Sequence, residues 1–465
     1  MADPQAPPPL SPTQPAFRQQ NRTILKLLGV GALILVMLIP LMMISGVLEE
    51  RLQRRNEAVS DITASWGKDQ NILGPVLCLP YRYQTLVVRE VPTGDGRVER
   101  REVEETQVGN AYFLPELLKV NGDVQTQLLH RGIYDAAVFR AQIALTGRFA
   151  VPDLGALKID PADVLWADAF VTIAVGDLRG TREGLVLDWG GEKRPLLPGS
   201  ELPGYTTGAT ARLMLTGAMA APIDFAIPLD VNGSGGIFFA PFGVQNEAEM
   251  KSNWPDPGFR GAFLPAERSV RPDGFDAKWQ VSYYGRDYPQ QWTSRMGNER
   301  FNERTVSASL FGVQLLSILD AYRYVERSIK YGVLFFVLVF TTFFLFEVTA
   351  RQKIHPFQYL MVGAALCLFY LALLSISEFL GFGIAYLIAG VAATGLITWY
   401  CRYFLGGGVR TLMVGAGLAG VYTFLYITLR QQDYALLMGS IALFLVLALV
   451  MFVTRRVDWY ARDSS

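Results

Sequence analysis

Histidine and cysteine are scarce in this chain, which has two histidines and three cysteines among 465 residues. The histidines are His130 and His355, and the cysteines are Cys78, Cys367 and Cys401. This spacing offers neither a disulfide framework nor a zinc-type ligand set. Most hydrolytic and metal chemistry relies on histidine as a base or a ligand. The scarcity therefore argues against a metal centre and lowers the expectation of an enzyme.

Several catalytic and nucleotide-binding signatures are also missing from the sequence. It has no phosphate-binding loop ending in Gly-Lys-Ser/Thr, no His-Glu-x-x-His helix, no Gly-x-Ser-x-Gly elbow and no Cys-x-x-Cys pair. The 42 basic and 42 acidic residues give a formal net charge of zero, so no global positive field favours nucleic acid. We predict no cofactor, no metal and no nucleic-acid partner.

Charged residues are absent from one long run near the start of the chain and from several near its end. Because bilayer hydrocarbon is about 30 Å thick, a spanning helix needs roughly 20 apolar residues. By this criterion the lipid bilayer is a partner, and we predict six spans, at 27–48, 331–350, 356–377, 379–401, 411–429 and 434–454. Pro40 falls inside the first span and predicts a kink there.

The distribution of lysine and arginine predicts the orientation of these spans. Six spans put both termini on one side of the membrane, and ten basic residues belong to that side: Arg18, Arg22, Lys26, Arg351, Lys353, Arg402, Arg410, Arg455, Arg456 and Arg462. The short loops on the other side carry Arg430 alone. The bias places both termini in the cytoplasm. The first apolar run has 22 residues, longer than the ~7–15 of a signal-peptide core, so an uncleaved anchor is favoured over a cleaved signal.

The predicted fold class is therefore a membrane protein of the α+β type. Six transmembrane helices carry a large, mostly antiparallel β domain, inserted between the first and second spans and placed outside the cytoplasm. The predicted boundaries are a disordered Pro-rich cytoplasmic arm at 1–22, helix 1 at 27–48, the inserted domain at 49–328, helices 2–6 at 329–455 and a cytoplasmic tail at 456–465.

Alternating apolar and polar residues predict strands in the inserted domain at 139–145, 171–175, 225–231 and 277–283. Each such strand is expected to have one buried and one solvated face. The pairs Asp95-Gly96, Asn121-Gly122 and Asn232-Gly233 predict tight hairpin turns. The pattern indicates a sandwich or two packed β units.

Apolar residues at helical spacing flank the inserted domain on both sides. They are Leu48, Leu52, Val59, Ile62 and Trp66 on one side, and Leu319, Tyr322 and Val325 on the other. Two interpretations stay open. The helices are either rigid stalks or caps on the β core.

Aromatic, proline and glycine residues are concentrated between Phe238 and Trp292. We expect ordered loops held by Trp254, Phe259 and Phe263, because the prolines and glycines exclude regular helix. Aromatic loops on a β scaffold either bind a glycan or another protein, or plug the end of the β core.

A set of ordered motifs resembles the CreD family of bacterial inner-membrane proteins. The motifs are Arg131-Gly132-Ile133-Tyr134, Gly176-Asp177-Leu178-Arg179-Gly180, Phe242-Gly243, Trp254 to Gly261, Phe263-Leu264-Pro265, Gly274 to Trp279, Lys330-Tyr331-Gly332, Phe346-Glu347-Val348, His355 to Tyr359 and Ser375 to Phe379. The resemblance extends from about the first span to about the sixth. It implies a location in the bacterial inner membrane, with the inserted β domain as a periplasmic domain. It also implies a role in cell-envelope integrity, a link to a Cre two-component regulon and a response to β-lactams. It implies no catalytic residue, substrate or cofactor.

Three ionisable residues near or within the spans are functional candidates, because a charge at the bilayer centre costs on the order of 2.5–3.5 kcal/mol. Glu347 either pairs with Arg351 four residues later or has a function. His355 precedes Pro356, the first residue of the third predicted span, and we expect it to begin that helix. The alternative is a pH-sensing role. Glu378 is either a turn residue or a gate or proton-linked carboxylate facing the bundle interior.

Three classes of function follow from the sequence. The first is a non-enzymatic envelope protein whose β domain contacts a periplasmic protein, lipid or cell-wall component. The second is a transporter or channel component, for which the spans offer few polar residues. The third is an envelope enzyme, against which the scarcity of histidine argues. The oligomeric state is not predicted.

Overall fold

The computed structural model describes residues 17–92, 98–179, 181, 184–296, 301–315, 321–349, 354–405, 408–431 and 434–455. The chain forms two compact units. One comprises Met1–Arg55 and Leu319–Ser465, and the other Asn56–Ile318. Residues 1–16 of the predicted arm and the predicted tail at 456–465 lie outside the described residues. The first helix already begins at Phe17, so positions 17–22 are helical rather than part of an extended arm.

The described residues include seven α-helices and seventeen β-strands. The helices are α1 (Phe17–Trp66), α2 (Glu303–Ser309), α3 (Ala321–Lys330), α4 (Gly332–Thr349), α5 (Pro356–Leu405), α6 (Gly408–Arg430) and α7 (Ala435–Thr454). The strands are β1 (Gln70–Pro92), β2 (Val98–Phe113), β3 (Leu117–Arg131), β4 (Tyr134–Phe149), β5 (Phe170–Val175), β6 (Val186–Trp189), β7 (Glu192–Pro195), β8 (Leu197–Pro198), β9 (Gly208–Arg212), β10 (Ile223–Ser234), β11 (Gly236–Phe239), β12 (Gln245–Ser252), β13 (Pro257–Gly261), β14 (Glu267–Arg271), β15 (Gly274–Ser282), β16 (Gln291–Thr293) and β17 (Phe311–Leu315).

Three helices in the described residues are long and apolar enough to cross a membrane, at Leu28–Trp66, Pro356–Tyr403 and Gly408–Arg430. A fourth is added if Ala321–Lys330 and Gly332–Phe344, which meet at a bend of 46°, are counted as one span. Helix α1 runs through Pro40 without ending, and it continues well past the predicted limit of the first span. The predicted total of six spans stays a prediction.

Helix α5 covers the third and fourth predicted spans, and its backbone breaks at Gly381, where φ is 71° and ψ is 160°. The rings of Phe369 and Tyr386 nevertheless lie 5.4 Å apart. Seventeen residues of straight helix would separate them by about 25 Å, at 1.5 Å per residue. The chain therefore reverses at Gly381, and α5 is a hairpin of two helices. Glycine accepts the left-handed φ that this reversal needs.

The β unit contains two sheets. One has nine strands in the order β13-β17-β11-β1-β5-β9-β8, with β2 on β1 and β16 on β2. The other has eight strands in the order β14-β15-β12-β3-β4-β10-β6-β7. Most neighbours are antiparallel, as predicted, but β1 pairs with β11 and β12 pairs with β3 in parallel, so both sheets are mixed. Side chains of both sheets join in one hydrophobic core.

All four predicted strands are confirmed, in β4, β5, β10 and β15. The expectation of one solvated face is wrong for β5, whose six residues are all buried. The loop after β8 covers its second face, where the Thr172 hydroxyl accepts a hydrogen bond from the backbone N–H of Glu201 at 3.1 Å. The sequence alternation of β5 is therefore between large apolar residues and the smaller Thr172 and Ala174, and it does not indicate a solvated face.

Two of the three predicted hairpin turns are wrong. Asn121-Gly122 lies inside β3, paired to both β4 and β12, and Asn232-Gly233 lies inside β10. The turn between β3 and β4 instead uses Gly132, whose φ is 65°. The remaining pair, Asp95-Gly96, lies outside the described residues.

Gly233 serves close packing. A Cβ at this position would lie 2.4 Å from the Phe139 ring, whereas a Cβ on Gly122 would meet nothing closer than 3.7 Å.

The end of α1 caps the β core, which answers the open question for that flank. Ile62 packs against Ala136 and Val138 of β4, and the Trp66 indole N–H donates to the Phe139 carbonyl at 3.1 Å. On the other flank, Leu319 lies outside the described residues. Tyr322 and Val325 are buried on α3 within the helical unit.

The two Asn-Gly glycines provide a matched test of this packing. We expect Gly233→Ala to destabilise the β unit by about 1–3 kcal/mol, because the added methyl group overpacks against Phe139. Gly122→Ala should change stability by much less, because its surroundings are open. Thermal unfolding of the full chain in detergent, followed by tryptophan fluorescence, measures both. Equal shifts of the two midpoints would contradict the packing role of Gly233.

Candidate functional site

The carboxylate of Glu378 forms a buried polar cluster in the helical unit. It lies on α5, three residues before the reversal at Gly381, and its side chain is 7% exposed. The Arg51 Nε lies 3.7 Å from its Oε1, and the Tyr322 hydroxyl donates to the same oxygen at 3.1 Å. Three elements, α1, α3 and α5, therefore meet at one carboxylate.

This arrangement offsets the cost of burying a charge. An unpaired carboxylate in an apolar interior is strongly destabilised, and a cation together with a hydrogen-bond donor lowers that cost. Arg51 reaches the site because α1 continues past its apolar run, and its side chain is 41% exposed. Glu378 thus lies inside the helical unit rather than at an exposed turn. Its function as a gate or proton-linked group stays a prediction.

Buried tyrosine hydroxyls lie deeper in the same unit. Tyr370, Tyr386 and Tyr422 are each at most 5% exposed. The Tyr386 hydroxyl donates to the Tyr422 carbonyl at 2.8 Å. Within the described residues, the hydroxyls of Tyr370, Tyr422 and Ser328 have no hydrogen-bond partner. Buried polar groups of this kind are sites for ordered water or a polar ligand.

The other two candidates of the helical unit lie at helix ends. Glu347 is in the last turn of α4, but its side chain and the proposed partner Arg351 lie outside the described residues. His355 precedes Pro356 at the start of α5, as predicted. The His355 Nδ1 accepts a hydrogen bond from the backbone N–H of Phe357 at 3.2 Å. The backbone N–H of His355 donates to the Gln358 side-chain oxygen at 3.0 Å. His355 is therefore the N-cap of this helix, with Gln358 as the reciprocal partner.

The three aromatic candidates of the β unit face inward. Trp254 is 6% exposed. Phe259 contacts the rings of Phe275 and Trp279 at 5.7 and 5.9 Å, and Phe263 contacts Phe311 at 6.1 Å.

Phe259 also lies in β13 rather than in a loop, because Pro257–Gly261 pairs with β17. This packing favours the core-plug interpretation over a binding surface.

A second buried carboxylate, Asp177, joins α1 to the β unit's core. Its side chain is 8% exposed and receives a hydrogen bond from the Arg179 Nη2 at 2.6 Å. Arg179 also donates to the Ala64 carbonyl near the end of α1, at 3.0 Å. The fully buried Gln70 amide donates to the Asp177 carbonyl at 3.0 Å. The hydrogen bonds from Arg179 hold the pKa of Asp177 below its ordinary value.

Arg286 is a buried cation that the sequence did not single out. It is 9% exposed, and its guanidinium donates to the carbonyls of Tyr288 and Phe242 and to the Gln290 side chain. Burial lowers its pKa from the ordinary value. It fixes the loop after β15. Within the described ranges, no three His, Cys, Asp or Glu side chains are grouped so as to hold a metal ion.

Sequence reasoning singled out Glu378 as a candidate but did not identify Arg51 and Tyr322 as its neighbours, because both are far from it along the chain. The pairing of Asp177 with Arg179 could have been predicted from the sequence. The two residues are two positions apart in a motif bounded by glycines, so their side chains can meet locally. No local signal marks Arg286, whose acceptors are mainly backbone carbonyls.

A double-mutant cycle tests the Glu378 cluster. We expect Glu378→Gln and Arg51→Gln each to destabilise the helical unit by about 1–3 kcal/mol, and the double variant to lose less than the sum. In the Cys78→Ala background the remaining thiols are Cys367 and Cys401, which are both buried in the helical unit. Reaction with a thiol-reactive dye therefore reports unfolding of that unit. Strictly additive shifts would show that the two groups do not interact.

The pH dependence of stability tests Asp177. Because its folded pKa is depressed, its contribution is complete above about pH 5 and fades as pH falls below about 4. Asp177→Asn should lower the unfolding midpoint at neutral pH and flatten its acid dependence. Asp224→Asn is the matched control, since Asp224 also pairs with an arginine but its side chain is 70% exposed. Equal effects of the two substitutions would contradict the role given to burial.

Comparison with known proteins identifies the family. The profile of the family described as inner membrane protein CreD matches residues 22–460. The chain is 31% identical over 436 residues to the inner membrane protein CreD of Escherichia coli (strain K12), which covers 94% of this chain and 93% of that protein. The resemblance carried by the sequence motifs is confirmed, and this chain belongs to the CreD family of inner membrane proteins.

Proposed function

We propose that this chain is a non-enzymatic inner-membrane protein that contributes to cell-envelope integrity and to the envelope and β-lactam stress response. Membership of the CreD family is the observation that carries the proposal. The division into an apolar helical unit and a large β unit supports it, because an envelope protein needs an anchor and a part that reaches beyond the membrane.

The proposed topology has six spans, with both termini in the cytoplasm and the β unit in the periplasm. The reversal at Gly381 supports it, because it divides the 48-residue segment Pro356–Tyr403 into two passes. Helix α7, with 20 residues and no charge, supplies a further pass. The excess of basic residues on the side of the termini supports the orientation.

We further propose that the β unit contacts a periplasmic protein or cell-wall component through a groove in the eight-stranded sheet. The groove has a volume of 680 Å³ and is lined in part by Asn121, Asp123, Gln142, Glu249 and Lys251. Amides and charges of both signs suit hydrogen bonding to glycan hydroxyls or to the charged groups of a peptide.

A transporter or channel component is the second candidate. The buried Glu378 and the unpartnered Tyr370 and Tyr422 hydroxyls favour it, because intramembrane polar groups commonly mark a solute or proton path. The two candidates differ in one test. Glu378→Gln combined with Tyr370→Phe should abolish the function of a transporter, while an anchor that stays folded should tolerate it.

Deletion of the gene and complementation test the primary proposal. We expect loss of the protein to increase envelope permeability and to change β-lactam sensitivity, and the full chain to restore both. Asp123→Asn with Lys251→Gln should complement poorly. The charge-matched control, Asp273→Asn with Lys193→Gln, lies outside the groove and should complement fully. Permeability to a dye and the inhibitory concentration of a β-lactam are the measurements.

A deletion strain with unchanged permeability and sensitivity would overturn the proposed role. A reporter enzyme fused after residue 200 tests the topology separately. Periplasmic activity of alkaline phosphatase at this position is expected, and activity only of a cytoplasmic reporter would reject the orientation.

A further inference from the structure

Helix α3 is short and strongly amphipathic. Its buried face carries Tyr322, Val325 and Ile329 within the helical unit. The residues Arg323, Arg327 and Lys330 recur at positions i, i+4 and i+7 and form a basic stripe on the helix. Because α3 joins the apolar α4 at a bend of 46°, it has the form of a helix that lies in the membrane interface.

The basic stripe of α3 meets a second cation at the end of α6. The Arg327 Nη1 donates to the carbonyl of Leu429 at 3.1 Å. The next residue, Arg430, is the last of α6, and its guanidinium lies 5.4 Å from the ring centre of Tyr426. Arg327 and Arg430 are thus both held at the C-terminal end of α6.

Two acidic side chains of the helical unit have other partners. Glu326 pairs with Lys330 at 2.7 Å, and Glu378 lies 3.7 Å from Arg51. Within the part of the chain that the structure describes, no ion pair joins a carboxylate to Arg327 or Arg430. Both guanidinium groups therefore keep N–H donors for an anion, and the bidentate geometry of arginine suits phosphate.

A stack of aromatic rings indicates where Arg327 and Arg430 lie relative to the membrane surface. The rings of Tyr324 and Phe382 lie 4.9 Å apart, and Phe382 and Tyr426 are nearly parallel at 6.3 Å. Arg430 lies on the outer end of this stack. Tyrosines of membrane proteins are enriched at the level of the lipid headgroups. A phosphate bound here would belong to a molecule whose remainder lies along the apolar helices.

The distribution of charge gives an independent reason. In the proposed topology, Arg430 is the only lysine or arginine of the short periplasmic loops. The positive-inside bias disfavours a cation there. The dipole at the C-terminal end of α6 favours nearby cations, and an anionic headgroup would add a second favourable interaction for Arg327 and Arg430.

We propose that Arg327 and Arg430, with Arg323 beside them on α3, bind the phosphate of an anionic phospholipid headgroup in the outer leaflet of the inner membrane. The choice of leaflet rests on the proposed topology, whereas binding of the phosphate does not. The lipid holds α3 to the end of α6 by neutralising the two guanidinium groups. Its acyl chains lie against the exposed apolar side chains of the spans.

Native mass spectrometry of the full chain in mild detergent tests the site with phosphatidylglycerol as the probe. We expect the wild type to retain phosphatidylglycerol in preference to the zwitterionic phosphatidylcholine. Arg327→Gln with Arg430→Gln should reduce retention at least about threefold, because both charge-assisted contacts are lost. Arg327→Lys with Arg430→Lys should keep part of the retention, because lysine keeps the positive charge but lacks the bidentate geometry of the guanidinium group.

Arg402→Gln with Arg455→Gln is the matched control. Both arginines lie at helix ends in the helical unit, and the Arg455 guanidinium lies 4.1 Å from the Phe452 ring centre, as Arg430 lies on Tyr426. An equal loss of lipid in the control would mean that the lipid is held by general charge attraction, and it would overturn the proposed site. Unchanged retention in the Arg327 and Arg430 variant would also overturn it. Circular dichroism confirms that each variant is folded.

A second arm distinguishes lipid from free phosphate. Delipidated protein should gain thermal stability from phosphatidylglycerol and not from inorganic phosphate. Equal stabilisation by inorganic phosphate would reject the lipid. Because these measurements use purified protein, they stand whether or not deletion of the gene changes the envelope.

Discussion

The cost of placing charge in an apolar interior governs both units of this chain. An unpaired ion away from water is destabilised by several kcal/mol, so the few buried charges need hydrogen-bond or ion-pair partners. Glu378 draws on α1 and α3, and Asp177 draws on Arg179 beside it. Arg286 has backbone carbonyls as acceptors instead of a carboxylate. Each buried charge therefore fixes the relative position of the segments around it.

The same cost restricts where the helical unit can carry chemistry. The interiors of its helices hold aromatic and aliphatic side chains, with hydroxyls as the main polar groups. His355 and Arg430 lie at helix ends, and Glu378 lies beside the helix reversal at Gly381. A function in envelope integrity and a lipid-phosphate site both fit this distribution, because each acts at the membrane surface. The buried tyrosine hydroxyls are the feature that a transporter would use and an anchor would not need.

In the β unit, the packing of the aromatic segment favours the core-plug interpretation over a binding surface. Trp254 is buried, and the rings of Phe259 and Phe263 contact Phe275, Trp279 and Phe311 of the core. Aromatic side chains bury a large area and serve a core as well as they serve an interface. The polar groove of the eight-stranded sheet is the better place for a partner, because its side chains face outward with hydrogen-bonding groups.

The sequence by itself determined the apolar helices, the four alternating strands, the N-terminal boundary of α5 and the family. These depend on local periodicity, length and short motifs, which a linear reading preserves. Only the tertiary structure decided that Asn121-Gly122 and Asn232-Gly233 are strand residues, that β5 is buried on both faces, and that Arg51 and Tyr322 meet Glu378. Asn-Gly signals a turn only when its backbone groups lack other partners, and here neighbouring strands pair with them. Contacts between residues hundreds of positions apart leave no local trace, because they are set by how the elements pack.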